Sequence, residues 1–310
     1  MKKIKFITFV GISILFIVII INSIQHIRAE VLYRNGYIKS QRGYPKLAIK
    51  DFKTSSELMP WETHYRLQLA QNYEQTANQF SSEYDEFILL AIKEYEKLIL
   101  ADPLNPWFKA RLGLIYHALN RKYPGVDEYK KRAYELAKGA TTNDPQNPLF
   151  TLHFAHFLYT YDMTEEAKKY YQKTINYDND ITEAHFNLGG IFLKQNNISE
   201  AIKHYEVVNK QLTKSEKYLS ARTPQDKRNK LERFQKARII LADEYLNQSK
   251  TFKAFDLIKQ IPASIEKFEL LAKYYEKTAR INDAIKIYKD LNDKLDTTKY
   301  NENIQRLINE

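Results

Sequence analysis

Three histidines come closest to a reactive constellation in this sequence: His153 and His156 stand three residues apart, and His117 lies in the segment before them. Imidazoles one helical turn apart can approach a single metal ion from one helix face. Such a site needs a further ligand, and no carboxylate stands at ligand spacing beside them. The spacing therefore reads as partly buried helix histidines, with no metal expected. The sequence has no Gly-rich phosphate loop, no His-Glu-x-x-His, no Gly-x-Ser-x-Gly and no cysteine. The common nucleophile, phosphate-binding and metal-hydrolase signatures are absent together, so no catalytic residue and no cofactor is expected.

Charge is the second concentration of chemistry. The net charge is +10, and residues 214–238 carry nine Lys or Arg against three Asp or Glu, six of those ten charges. Lys227, Arg228, Lys230, Arg233 and Lys236 form a basic patch that would suit anionic lipid headgroups or an acidic partner surface. The alternative is a solvated helix face. No zinc-finger spacing and no aromatic-interleaved basic sheet accompanies it, which argues against nucleic acid.

The elements that position these residues are helices. Eight glycines in 310 residues and no Asn-Gly hairpin signals argue against a β-rich chain. The segment from Thr182 to Ser215 shows the pattern most clearly. Leu188, Gly189 and Phe192 fall on one face of a first helix, Asn196-Asn197 supplies a turn, and Ala201, Tyr205 and Val208 form the facing stripe of a second. Gly189 and Ala201 let the backbones approach while Phe192 and Tyr205 fill the space beside them. One hairpin cannot bury its own apolar face, so it needs neighbours.

The neighbours are present. An alanine followed four residues later by a large apolar residue recurs as Ala48/Phe52, Ala91/Tyr95, Ala167/Tyr171, Ala201/Tyr205, Ala254/Ile258 and Ala284/Tyr288, with Ala133/Ala137 as a smaller variant. Upstream of each lies a small residue: Gly36, Ala70, Gly113, Ala155, Gly189, Ala242 or Ala272. Pro60, Pro103 and Pro145 follow second helices, where a residue without an N–H stops the helix. In these residues the chain resembles the tetratricopeptide repeat family over nearly all of its length after residue 28. The family's early tryptophan is missing from its usual place, and Asn35 and Lys39 stand where Leu and an aromatic are expected in the first unit, leaving its first helix open.

The resemblance implies an all-α, right-handed superhelical solenoid of about seven hairpins. It also implies that the second, fifth, ninth and twelfth positions of first helices line a concave groove, which places Trp107, His117, Leu152, His156, Tyr159, Glu183 and Phe186 near it. Trp107, Tyr159 and Phe186 would be aromatic anchors for a protein or peptide partner; the alternative is that they pack between hairpins. The family's chaperone-tail clamp is not matched at Leu67, Gln71 and Ala110.

In chain order, residues 1–28 hold Lys2, Lys3 and Lys5, then an apolar run from Phe6 to Ile21. From Phe6 to Ile24 a helix rises about 28 Å, close to a bilayer's hydrocarbon thickness. No small-x-small cleavage site follows, so the segment reads as an uncleaved signal-anchor rather than a removed leader. The cationic N-terminal end favours a cytoplasmic N-terminus and a repeat domain outside the cytoplasm.

Repeat-like units one to five occupy 29–215, a basic connecting segment and helix extension 216–234, units six and seven 235–298, and a capping helix 299–310, with Tyr300, Ile304, Leu307 and Ile308 as its apolar stripe. Units two and three exceed the family period, with the excess between first and second helices around residues 79–85 and 120–127. It forms either a functional ridge or a tolerated loop or helix extension. Two functions fit: an extracytoplasmic, membrane-anchored scaffold serving cell-envelope assembly or client handling, and a cytoplasm-facing regulator of a membrane enzyme or envelope pathway.

Overall fold

Several helices begin where the sequence supplies a start. Pro45, Pro106, Pro148 and Pro224 occupy first helical positions, where a missing N–H costs nothing. Asn105 and Asn147 accept hydrogen bonds from the Trp107 and Leu149 amides, and Ser264 accepts one from the Lys267 amide. The computed structural model describes residues 2–214 and 224–309, with side chains described for 11–211 and 227–309. Fifteen α-helices account for nearly all of the described residues, and no strand occurs among them. The cap expected of Thr223 and the first part of the basic segment lie outside the described residues.

The chain divides into two compact units, residues 1–146 and 147–310. In the first, α1 (Lys2–Gln41) pairs with α2 (Pro45–Leu58), α3 (Thr63–Gln79) with α4 (Tyr84–Ala101), and α5 (Pro106–Lys122) with α6 (Asp127–Asn143). In the second, the pairs are α7 (Pro148–Thr160) with α8 (Thr164–Tyr177), α9 (Thr182–Lys194) with α10 (Ile198–Lys214), α11 (Pro224–Asn247) with α12 (Thr251–Gln260), and α13 (Ile265–Lys277) with α14 (Ile281–Leu295). The short α15 (Asn301–Asn309) follows. Each hairpin of the second unit turns through one left-handed residue: Asp162, Asn196, Ser249 and Ala279.

The recurring residues are the core. Ala48, Ala91, Ala133, Ala167, Ala201, Ala254 and Ala284 are at most 1% exposed, and the larger residue four positions on is buried in every case but the small Ala137 variant. The small residue upstream makes room for it. A Cβ on Gly36 would lie 3.1 Å from the Phe52 ring, and one on Gly189 would lie 3.0 Å from the Tyr205 ring. Because neither ring can move without opening the hairpin, Gly189→Val should destabilise the second unit by about 1 to 2 kcal/mol, read as a lower thermal midpoint by circular dichroism.

The first helix of the first unit is formed, and it is not separate from the apolar segment. Helix α1 runs unbroken for 40 residues. Lys39 needs no apolar partner because its ammonium lies 2.5 Å from Asp51 of α2. From Gly11 to Gln41 this helix is long and apolar enough to cross a membrane, and its apolar side chains from Ile12 to Ile27 are exposed.

The excess length of units two and three is taken up as helix. Helices α3 to α6 have 17 or 18 residues, against 13 or 14 in α7 to α9, about one extra turn each. At the far end, Tyr300, Ile304 and Leu307 bury against Tyr288 and Leu291 as a cap. Ile308, expected on the same stripe, is instead 57% exposed, lying in the last turn of a nine-residue helix.

Candidate functional site

Within the second unit, α7, α9 and α11 bring together charges that are distant in sequence. Glu183, near the start of α9, has one carboxylate oxygen 2.8 Å from His156 Nε2 of α7 and the other 2.9 Å from an Arg233 guanidinium nitrogen of α11. Burial would raise the Glu183 pKa, but the His156 hydrogen bond and the Arg233 charge outweigh it and hold it at about 2. The carboxylate absent from the sequence spacing around the histidines is therefore supplied from the next hairpin. Among the described residues, no group of three or more His, Asp or Glu side chains is placed to hold a metal ion.

Tyr159 of α7 accepts a hydrogen bond from Lys194 of α9 at 2.8 Å. Phe186 packs edge-on against the Tyr205 ring, with centroids 5.7 Å apart, and Leu152 is buried in the core at 6% exposure. Of the seven groove residues expected from sequence, these three lie in the second unit with His156 and Glu183. Trp107 and His117 belong to the first, Trp107 exposed in the opening turn of α5 and His117 half-buried further along it.

Beneath this cluster, the Tyr171 hydroxyl is buried with no hydrogen-bond partner, and burial together with the Glu183 charge pushes its pKa up. An unpaired buried hydroxyl loses its hydration without compensation. Tyr171→Phe should therefore stabilise the second unit by about 1 kcal/mol, seen as a raised unfolding midpoint.

The residues of the expected basic patch are placed differently along α11. Arg233 points inward to Glu183 with 18% of its side chain exposed, and Lys236 pairs with Glu232 at 2.6 Å. Lys227 and Arg228 are exposed and Lys230 is half-buried. The segment's charge is partly spent on holding α11 against α9.

Sequence reasoning missed a cleft of about 350 Å³ formed by α9, α11 and α13. Leu193, Ile239, Ile240 and Leu270 give it an apolar floor, and Asp243, Glu244, Glu266 and Glu269 line it with Lys273. Lys273 is bound to Asp243 at 2.5 Å. Glu269 is raised in pKa by burial but lowered on balance by hydrogen bonds from Lys299 and the Tyr300 hydroxyl. The signal was an adjacent apolar pair, Ile239-Ile240, followed by an adjacent acidic pair, Asp243-Glu244, on one first helix.

No family model and no curated protein matches the chain. Solved structures do match. PilF of Pseudomonas aeruginosa superposes with a TM-score of 0.56 at 14% identity, covering 80% of this chain and 99% of that one. MamA from Desulfovibrio magneticus RS-1 gives 0.50 at 13% identity, covering 61% and 97%. TTC0263, a tetratricopeptide repeat protein of Thermus thermophilus, gives 0.47 at 16% identity, covering 67% and 98%. The fold is that of tetratricopeptide repeat proteins.

Proposed function

We propose that this chain is a non-enzymatic, bilayer-anchored tetratricopeptide scaffold. Its repeat domain lies on the extracytoplasmic side and holds a protein or peptide partner, in cell-envelope assembly or client handling. The observation that carries this reading is the continuity of α1. One helix joins an exposed apolar stretch of bilayer length to the first packed hairpin, so the repeats would be held at the membrane without a flexible tether. Lys2, Lys3 and Lys5 ahead of the apolar run favour a cytoplasmic N-terminus. A reporter active only outside the cytoplasm, fused after Glu310, tests the side. Activity, with residues 1–28 retained by mass, supports the scaffold. Activity of a cytoplasmic reporter instead overturns the placement in favour of a cytoplasm-facing regulator of a membrane enzyme.

The partner segment that fits the second unit's cleft is basic and amphipathic, because the floor is apolar and the walls carry four carboxylates against Lys273 and, on Glu269, Lys299. Tyr159 and Phe186 would extend the contact as aromatic anchors. For a synthetic Lys/Leu amphipathic peptide, the double charge reversal Asp243→Lys, Glu266→Lys should weaken binding about tenfold or more, measured by calorimetry. Unchanged affinity would remove the cleft from this reading.

A further inference from the structure

The two ends of the hairpins in the first unit differ chemically. At one end the tips are tied by ion pairs. Lys46 meets Glu83 at 2.6 Å and lies 4.2 Å from the Phe80 ring centroid, while Lys122 meets Asp85 at 2.8 Å and covers the Tyr84 ring at 4.5 Å. At the other end, where α2 leads into α3 and α4 into α5, exposed apolar side chains stand instead: Trp61 (58%), Leu100 (80%), Leu104 (76%) and Trp107 (55%). These are the only two tryptophans of the chain.

Short connections between antiparallel helices put both turns at the same end. Asn143, the last residue of α6, reaches that level too, since its side-chain amide donates to the Pro103 and Leu104 carbonyls at 3.3 and 2.8 Å. Helix α1 leaves the unit by this same end. Ala29 packs with Met59 and Tyr65, and the bilayer-length apolar stretch, which ends at Ile24, extends outward from there. From Ile24 to Ala29 is about 8 Å of helix. Trp61, two residues from Met59, therefore comes to the level of the headgroups of a bilayer that α1 crosses from Phe6 to Ile24. The second turn reaches at least as far. Arg66 of α3 meets Glu94 of the antiparallel α4 at 3.4 Å, so Leu100, six residues after Glu94, stands level with Pro60, six before Arg66, and the turn that carries Leu104 follows it.

We propose that this edge of the first unit rests on the bilayer, with Trp61 and Trp107 in the interfacial zone and Leu100 and Leu104 reaching the acyl boundary. The inference depends on α1 being the bilayer anchor proposed above. Glu62 and Asp102 share the edge with His64, so the charges there are negative, and the contact is apolar and gains nothing from anionic lipid.

The test uses the full chain in phosphatidylcholine vesicles, with and without acyl chains brominated near the headgroup, and reads tryptophan emission. No tryptophan lies in α1, so quenching reports the edge and not the anchor. The expected result is flotation with the vesicles and an emission loss of about twofold in brominated lipid, unchanged by salt. Trp61→Phe and Trp107→Phe should each retain the quenching of the remaining tryptophan. Flotation with unquenched emission overturns the docking and leaves the anchor standing, the result expected if a protein partner covers the edge instead. Quenching lost in Trp61→Phe also overturns it, because Trp107 then does not reach lipid. Failure to float overturns the anchor, and the docking with it.

Discussion

Replacing Arg111 by methionine should destabilise the first unit by about 2 to 3 kcal/mol. Glu74 of α3 is buried at 6% exposure, and its carboxylate accepts from Arg111 of α5 at 2.6 and 3.0 Å and from the Tyr95 hydroxyl of α4 at 2.6 Å. Three consecutive helices from two hairpins thus meet on one buried carboxylate. Methionine keeps the stem of the arginine but removes the positive charge, leaving an ionised group desolvated with one hydroxyl donor. Half of the Arg111 side chain is exposed, so water can partly replace it and the cost stays below that of a fully enclosed pair. Both tryptophans lie in this unit, so tryptophan emission during urea unfolding isolates its transition. Adding Glu74→Leu should recover most of the loss, since an apolar pair replaces a buried ion pair at little cost. A midpoint unmoved by Arg111→Met would mean that the cluster does not hold the hairpins together.

Ion pairs between hairpins also mark what the sequence hid. The hairpins were legible because Ala48/Phe52, Ala201/Tyr205 and their counterparts must repeat for every hairpin to bury its face, and the small residue before each, such as Gly189, is forced by the ring that lands on it. Glu74 and Arg111 are 37 residues apart, and Glu183 and Arg233 also come from different hairpins. Such pairs depend on how neighbouring units dock, which no local period records. The first helix of the first unit looked doubtful because Asn35 and Lys39 break the apolar pattern. The structure satisfies Lys39 with Asp51 and keeps the recurring contact of Phe52 against Gly36, so one expected apolar contact is replaced by an ion pair while the hairpin's core pair is retained. The excess length of units two and three was ambiguous because their tip residues suit a loop or a further helical turn equally; ion pairs between tips, through Lys46 and Lys122, favour the helix. The acidic cleft was hidden for a related reason. Its walls come from α11 and α13, beyond the register positions of units three to five that the family's groove implies, and its acidic residues on separate helices meet only when those helices dock.

Glu183→Ala should destabilise the second unit by about 2 to 3 kcal/mol at neutral pH, because it leaves the Arg233 guanidinium, 18% exposed, without its carboxylate. Acid titration separates this contribution from a second one. The Glu183 pKa is about 2 in the folded chain against an ordinary value of 4.5. A folded pKa below the unfolded one means that the unfolded chain binds more protons, so this stability is complete above about pH 4.5 and disappears as pH falls towards 2. His185 and His204 act in a higher window. Their Nδ1 atoms lie 2.9 Å apart, an arrangement that at least one neutral ring must complete. Burial, and for His204 the neighbouring His185, lowers both pKa values, that of His204 to about 4 from 6.5. The sign is the same, and stability is lost as pH falls from about 6.5 through 4. The wild-type second unit should therefore lose stability in two stages, and Glu183→Gln should abolish the lower stage while leaving the upper one. His204→Phe, which keeps a ring against Phe192 (5.5 Å between centroids), should do the reverse. If Glu183→Gln flattened the upper stage instead, the histidine pair would be silent and the carboxylate alone would govern the acid response of α7, α9 and α11.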